Sequence, residues 1–383
     1  MATPIRTVIM RGGTSRAVFL KENDLPEDPA LRDRIILSIF GSPDKRQIDG
    51  VAGADPLTSK LAIIGPPRVA GTDLTYTFGQ VEIDHPAIDY KSLCGNISSA
   101  VGAYAIWENL VVPTAPITRV NVFNTNLNRV LRIEVPVGGR EPLESGDYKV
   151  PGVPGTGARI YLDFADTAGG ATGELLPTGN PVDRLNVEGF GELEVSLVDI
   201  GNAHVFVRAR DIGMKGTEAP DEIDADKKLG ALLERIRGAA AQRMKMASSA
   251  AAATSESPAT PIIGCVAPAA DYRDFLTGDT VRAQDIDLVS RLQFMQRTHK
   301  TYAGTSTVCT GVASRIRGTL VHEVSRPPRD GSVELRIGHP GGIIVTESQV
   351  TPDNRVLRAT LGRTARRIME GYAYVPDAVY AAG

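Results

Sequence analysis

The sequence predicts a mixed α/β protein, and two helix patterns that echo each other suggest two similar halves. Three observations carry this reading. Strand-like stretches recur along the chain, helical patterns are few, and two helices rich in small residues open alike far apart. The strand-like stretches at 7–13, 17–20, 74–84, 118–126, 129–137 and 158–164 are short, often alternating, and bounded by Gly, Pro, Asn or Asp. The first helix pattern, 27–40 (EDPALRDRIILSIF), has acids at its start and Gly41 just after its end. The second follows Cys94 through SSAVGAYAIWENL. Strands return at 192–213, and 221–246 is the longest helical pattern. Residues 247–261 (ASSAAAATSESPATP) are poor in large side chains and read as a loop or linker. The stretch 286–320 reads as a helix, a turn and a second small-residue helix. The echo lies between 94–106 (CGNISSAVGAYAI) and 303–316 (AGTSTVCTGVASRI). Taken alone it leaves duplication and coincidence both open.

Composition narrows the class. The chain has 383 residues, 42% hydrophobic and 23% charged, with a net charge of −3. This length suggests two domains or a duplicated one, and no basic field points to nucleic acid. No apolar run is long enough to span a membrane, and the start, MATPIRTVIM, does not read as a signal peptide. Three cysteines set far apart make neither a disulfide framework nor a zinc site. A cytoplasmic protein with reduced thiols is expected. No metal and no cofactor are expected, since no metal-ligand spacing and no Walker or dinucleotide fingerprint occurs.

Four motifs carry candidate chemistry. In MRGGTSR, paired glycines let backbone approach a ligand and Thr14 and Ser15 offer hydroxyls; a tight turn explains the same residues. In GADPLTSK, Ser59 and Lys60 precede an apolar run. A lysine so placed can act as a base, or can keep its ammonium in water. In SLCGN, Cys94, Gly95 and Asn96 open a helix whose free N–H groups favour an anion; a packed thiol and a cap explain the same residues. The fourth set is spread out: Asn202 and His204 in GNAHVFV, Thr305 and Ser306 in THKTYAGTS, His339 and Gly342 in GHPGG. Histidines so placed are commonly satisfied structural residues. Cys265 and Cys309 read as core.

Taken in order, MRGGTSR, IDGVAGADPLTSK, CGN with its small-residue helix, GNAHVFV, residues 299–306 and GHPGG resemble the methylaconitate isomerase family. Relatives of that family include 4-oxalomesaconate tautomerase and methylitaconate isomerase. The resemblance runs from Arg11 to EGYAYVP near the end of the chain. It implies a diaminopimelate epimerase-like fold, in which two pseudo-symmetric halves, 1–184 and 185–383, each wrap a curved mixed sheet around a central helix. The last strand would cross back, and the active site would lie between the halves. The epimerase works with two cysteines, but this chain has Ala303 at the second place. The resemblance therefore implies Lys60 and Cys94 as the catalytic pair. Thr14, Ser15, Ser59, Gly95, Asn96, Asn202, Thr305, Ser306, His339 and Gly342 would hold carboxylates.

The activity implied is cofactor-independent isomerisation of a small unsaturated di- or tricarboxylate. A proton leaves a carbon beside the double bond and returns at the far carbon, or a bond rotation exchanges cis for trans. An epimerase or racemase on the same fold and a non-catalytic tricarboxylate-binding protein are the alternatives. A small carboxylate, no nucleic acid, no membrane and a homodimer complete the expectation.

Overall fold

A computed structural model describes residues 2–328 and 331–381. The chain forms two compact units, one from 1–162 with 363–383 and the other from 163–362. The boundary expected at 184/185 lies inside the second unit. Residues 163–184 are tied there by Phe164 N donating to Ala359 O and by Gly201 N donating to Thr167 Oγ1.

In chain order, the first unit opens with β1 (Ala2–Gly12), β2 (Ser15–Lys21), α1 (Pro29–Phe40), β3 (Lys60–Gly65), β4 (Leu74–Val81) and β5 (Ile88–Asp89). It continues with α2 (Gly95–Trp107), β6 (Ile117–Asn124), β7 (Arg129–Gly138), β8 (Glu141–Pro142) and β9 (Ile160–Asp163). The second unit begins with β10 (Asp183–Val187), β11 (Gly191–Ile200), β12 (Asn202–Arg208), α3 (Pro220–Ala225), α4 (Lys227–Arg243), α5 (Ala253–Glu256) and β13 (Ile262–Pro268). Then come β14 (Tyr272–Arg273), β15 (Thr280–Val281), β16 (Leu288–Phe294), β17 (Arg297–Thr298), α6 (Gly304–Arg315) and α7 (Leu320–Val324). The hairpin β18 (Glu334–His339) and β19 (Gly342–Val350) and the strand β20 (Val356–Arg363) follow. The chain returns to the first unit with β21 (Ala365–Pro376), which pairs with β1, and ends in α8 (Asp377–Ala381).

The two units repeat one pairing pattern. The first sheet runs β21–β1–β2–β3–β4–β6–β7. Its pairings in that order are antiparallel, antiparallel, parallel, antiparallel, parallel and antiparallel. The second runs β10–β11–β12–β13–β16–β18–β19 with the same succession. Both sheets are therefore mixed, as expected for the predicted class. Strand β16 occupies the place expected for a helix in 286–320. Its residues Leu288–Gln293 are buried on both faces. A central strand covered on both sides loses its alternation and reads like a buried helix. Residues 247–261 likewise contain α5 and are pinned to α4, because Arg237 Nη1 donates to Ser257 O at 2.7 Å and Thr260 O at 3.3 Å.

Each sheet packs on one buried helix. Residues Gly95–Ile106 of α2 and Gly304–Ser314 of α6 are buried on every side. A helix enclosed all round needs small residues rather than an apolar stripe. Gly102 and Gly311 hold the same place relative to Gly95 and Gly304. A Cβ on Gly102 would lie 2.7 Å from Ile133 Cγ2 and 2.8 Å from Val135 Cγ2 on β7. One on Gly311 would lie 2.4 Å from Ser348 Oγ and 2.7 Å from Thr346 Cγ2 on β19. Only glycine lets either helix approach its sheet so closely. On the outer face of the first sheet, α1 covers Val18, Leu20, Leu61 and Ile63. Asp28 caps α1 by accepting from Ala30 N and Leu31 N, and Gly41 at φ 73° ends it.

Candidate functional site

Strand alternation decides which side chains face α2. Phe19 of β2 stacks on Tyr104 of α2 with ring centroids 5.0 Å apart. Ser15 and Ala17 share that face. Lys60 sits beside Ala17 in the parallel ladder and opposite Gln80 in the antiparallel one, so it faces α2 too. Its residue is only 8% exposed. Nζ donates to Gln80 Oε1 at 2.6 Å and lies 5.3 Å from the centroid of the Phe78 ring. Gln80 is aimed from behind, since its Nε2 donates to Ser59 O at 3.0 Å and Pro56 O at 3.2 Å. A fixed amide carbonyl therefore orients the amine.

Ser59 is fully buried and both sides of its hydroxyl are engaged. It donates to Val81 O at 2.9 Å and accepts from Gln47 Nε2 at 2.8 Å. It anchors the strand entry and has no hydrogen to offer outward.

Cys94 caps α2 in extended conformation and is partly exposed, and its side chain makes no cap bond. Its carbonyl accepts from Ser98 N and Ser98 Oγ, which leaves the sulfur outside the cap. The Tyr76 hydroxyl lies beside this start, its pKa pushed well up by burial and further by the neighbouring Cys94. Asn96, one residue past Gly95, donates from Nδ2 to Thr14 Oγ1 at 2.9 Å and accepts at Oδ1 from Arg363 Nε at 2.8 Å. Arg363 is 2% exposed. Burial lowers its guanidinium to about 10, opposed by Tyr148 and Cys94. The paired glycines of MRGGTSR serve this contact. A Cβ on Gly13 (φ +49°) would lie 2.2 Å from Asn96 Oδ1, and one on Gly12 would lie 2.2 Å from Asn96 O. Ser15 Oγ is buried and has no hydrogen-bond partner.

The first unit thus brings Thr14, Ser15, Lys60, Cys94, Gly95 and Asn96 onto one face of its sheet or the start of α2. The second unit gathers another set around the start of α6. Asn202 Nδ2 donates to Thr305 Oγ1 at 3.0 Å. His204 is fully buried, with Nδ1 2.8 Å from Asn202 O and Nε2 2.7 Å from Ser306 Oγ. A carbonyl only accepts, so Nδ1 carries the proton and Nε2 accepts from Ser306. Burial pushes this imidazole down to about 4, so it is neutral at ordinary pH. His339 and Gly342 lie opposite each other in the β18–β19 hairpin, and both carbonyls accept from the Tyr272 hydroxyl. His339 Nδ1 accepts from Gly341 N at 3.2 Å, and its ring lies 6.0 Å from that of Tyr302, just before α6.

Cys265 and Cys309 are buried core residues, and burial raises both thiols, Cys265 to about 12. Among the described residues no group of His, Cys, Asp and Glu is arranged to hold a metal ion, and no helix is long and apolar enough to cross a membrane. Sequence reasoning missed Gln80 and Arg363. The first was within reach, because alternation in 74–84 places Gln80 with Phe78 on one face. The second sits in TLGRTARR, outside all the motifs that carried candidate chemistry.

Known proteins resemble this chain along its whole length. It is 53% identical over 374 residues to a 3-methylitaconate isomerase of Eubacterium barkeri, covering 98% of each chain. It is 36% identical over 389 residues to a 2-methyl-aconitate isomerase of Shewanella oneidensis, covering 97% of each. It is 37% identical over 366 residues to a (4E)-oxalomesaconate Delta-isomerase of a Novosphingobium species, covering 96% of each. Among solved structures, a methylitaconate-delta-isomerase superposes with a TM-score of 0.89 at 52% identity, covering 100% of this chain and 98% of the other. A hydroxyproline epimerase from Agrobacterium vitis shares the fold alone, at a TM-score of 0.53 and 10% identity over 97% of this chain and 92% of the other. The family described as PrpF protein matches residues 2–376, and the chain belongs to that family.

Proposed function

We propose that this chain is an isomerase of a small unsaturated di- or tricarboxylate, working by proton transfer without a cofactor, with its acid–base pair, Lys60 and Cys94, in the first unit. The observation that carries the proposal is Lys60 itself. A nearly buried amine, aimed by Gln80, faces α2, and the residue that caps α2 carries a thiol that takes no part in capping. Kinship with named 3-methylitaconate, 2-methyl-aconitate and oxalomesaconate isomerases supplies the substrate class.

In its neutral form Lys60 removes a proton from the carbon beside the double bond. The C–H electron pair spreads over the allyl unit and its carboxylate, and Nζ becomes an ammonium. Cys94 returns a proton to the far carbon; the thiolate left behind takes a proton from solvent and the Nζ ammonium gives one up to solvent, which restores both groups. One C–H bond breaks, another forms, and the double bond moves one place. Hydroxyls of Thr14 and Ser15 and the N–H groups of Gly95 and Asn96 meet the growing charge; such preset donors commonly supply the largest share of rate enhancement. In the second unit, Asn202 and Thr305 at the start of α6 form a further buried polar set, joined by the bond from Asn202 Nδ2 to Thr305 Oγ1. Ser306 already gives its hydrogen to His204 and offers only an acceptor.

The test is proton NMR in D2O with 3-methylitaconate, 2-methylaconitate, cis- and trans-aconitate and 4-oxalomesaconate in separate tubes. Deuterium entry with a shifted double bond in one acid is expected. A folded protein that exchanges none of them refutes the proposal. The same reading places the chain in the cytoplasm, in keeping with three free cysteines, and pairs it with a second copy. Sedimentation equilibrium tests the pairing.

A further inference from the structure

We infer that Arg363 is a positioning residue. Acting through Asn96, it sets the direction of the Thr14 hydroxyl so that Thr14 and Ser15 together receive a carboxylate. The inference rests on the reading of the first unit as the reacting site, and it adds a residue to which nothing above assigns a role.

Hydrogen-bond direction gives the argument. A guanidinium only donates, so the Asn96 atom 2.8 Å from Arg363 Nε is the carbonyl oxygen. That fixes the amide, whose Nδ2 then faces Thr14 Oγ1 at 2.9 Å. Thr14 accepts this bond and keeps its own hydrogen. With the amide reversed, the Asn96 carbonyl would face Thr14 and consume that hydrogen. The buried guanidinium is therefore what keeps a donor at Thr14.

Ser15 supplies an independent observation at the same place. It lies opposite Gly12 in the hairpin, and opposed residues project to the same side. On that side a Cβ at Gly12 would lie 2.2 Å from Asn96 O and 3.2 Å from Ala100 Cβ, so this face lies against the first turn of α2. Ser15 is 3% exposed and its Oγ has no partner, a buried polar group that costs free energy until a ligand satisfies it. Two hydroxyls with hydrogens to give, a helix N-terminus and a buried cation behind them select an anion over an amide or an ammonium.

The experiment is calorimetric titration with tricarballylate, a saturated tricarboxylate that cannot be isomerised. Arg363→Lys keeps the charge and loses the Nε–H group. Asn96→Ala removes the link. Each is expected to weaken binding on the order of ten-fold, the scale of a charge-assisted bond. The double variant is expected to bind no more weakly than either single one. KM for the isomerised acid should rise in parallel. If Arg363→Lys does not fold, Gly13→Ala breaks the link from the other side, since its methyl would press on Asn96 Oδ1 and Arg363 Cδ; the same loss is expected. Wild-type binding in a folded Arg363→Lys, additive losses in the double variant, or no saturable binding by the wild type each overturn the inference. Failure of the isomerase reading shows separately, as absence of deuterium exchange in a protein that still binds tricarballylate.

Discussion

The starts of α2 and α6 occupy equivalent places in two sheets with one pairing pattern, yet carry different chemistry. Ladder register aligns the positions. Ala17 pairs with Lys60 at the head of β3, and His204 pairs with Ile262 at the head of β13. Where one unit has small Ala17 beside an amine, the other has His204 beside an isoleucine. Where one caps its helix with Cys94, the other uses Ala303. An Asn–Thr bond survives in both with its partners exchanged: Asn96 on the helix reaches Thr14 on the hairpin, and Asn202 on the strand reaches Thr305 on the helix. The duplicated frame keeps a polar helix start twice, while the ladder lysine and the cap thiol stand at the first start alone.

The sharpest way to break this comparison is to remove the chemistry from the first unit. Lys60→Met should slow deuterium exchange by about a hundred-fold or more, the scale of lost general-base catalysis, with the circular dichroism spectrum unchanged. Cys94→Ala should cost nearly as much when it is the proton donor. Near-normal exchange in a folded Lys60→Met protein would remove the distinction between the units.

His204 should show itself in stability. Its imidazole is held at about 4, below an ordinary 6.5. The unfolded chain therefore binds this proton more readily, and stability present above pH 6.5 is lost as pH falls toward 4. The loss is a few kcal/mol, at about 1.4 kcal/mol per pH unit. His204→Gln should flatten that slope, read by urea unfolding at pH 7 and pH 5.

The paired helix glycines should differ mildly. Gly102→Ala and Gly311→Ala should each destabilise by about 1–3 kcal/mol through overpacking, exceeding the helix-propensity gain of about 1 kcal/mol. Gly102→Ala should cost more, because its methyl meets two residues stiff at χ1, Ile133 and Val135, whereas at Gly311 one of the two neighbours, Ser348, can rotate its hydroxyl away and only Thr346 is β-branched. Thermal unfolding orders the two. The smallest effect belongs to Ala303→Cys. A thiol at the second cap should leave exchange unchanged, because Ile262 stands at the ladder place that Lys60 holds in the first unit. A gain in rate would show that the second start can carry proton transfer.

Much of this was legible beforehand. Alternation and turn residues marked the strands of the first unit, and small residues after Cys94 and Ala303 marked both enclosed helices, since only such helices fit inside a sheet. Strand β16 was misread as helix because burial on both faces erases the period that separates the two. Lys60 and Cys94 stood out by motif. Arg363 did not, because its role depends on a bond to Asn96 across most of the chain length.

The sequence by itself determined the strand-rich mixed class, the two small-residue helices, the membership of an ordered motif set and the candidate amine and thiol. These follow from local pattern, which sequence order records. Tertiary structure alone decided that Ser59 is spent on anchoring, that His204 is neutral and satisfied by Ser306, and that Arg363 stands behind Asn96. Each of those turns on burial and on the direction of a hydrogen bond between distant residues, and both exist only once the sheets have closed around their helices.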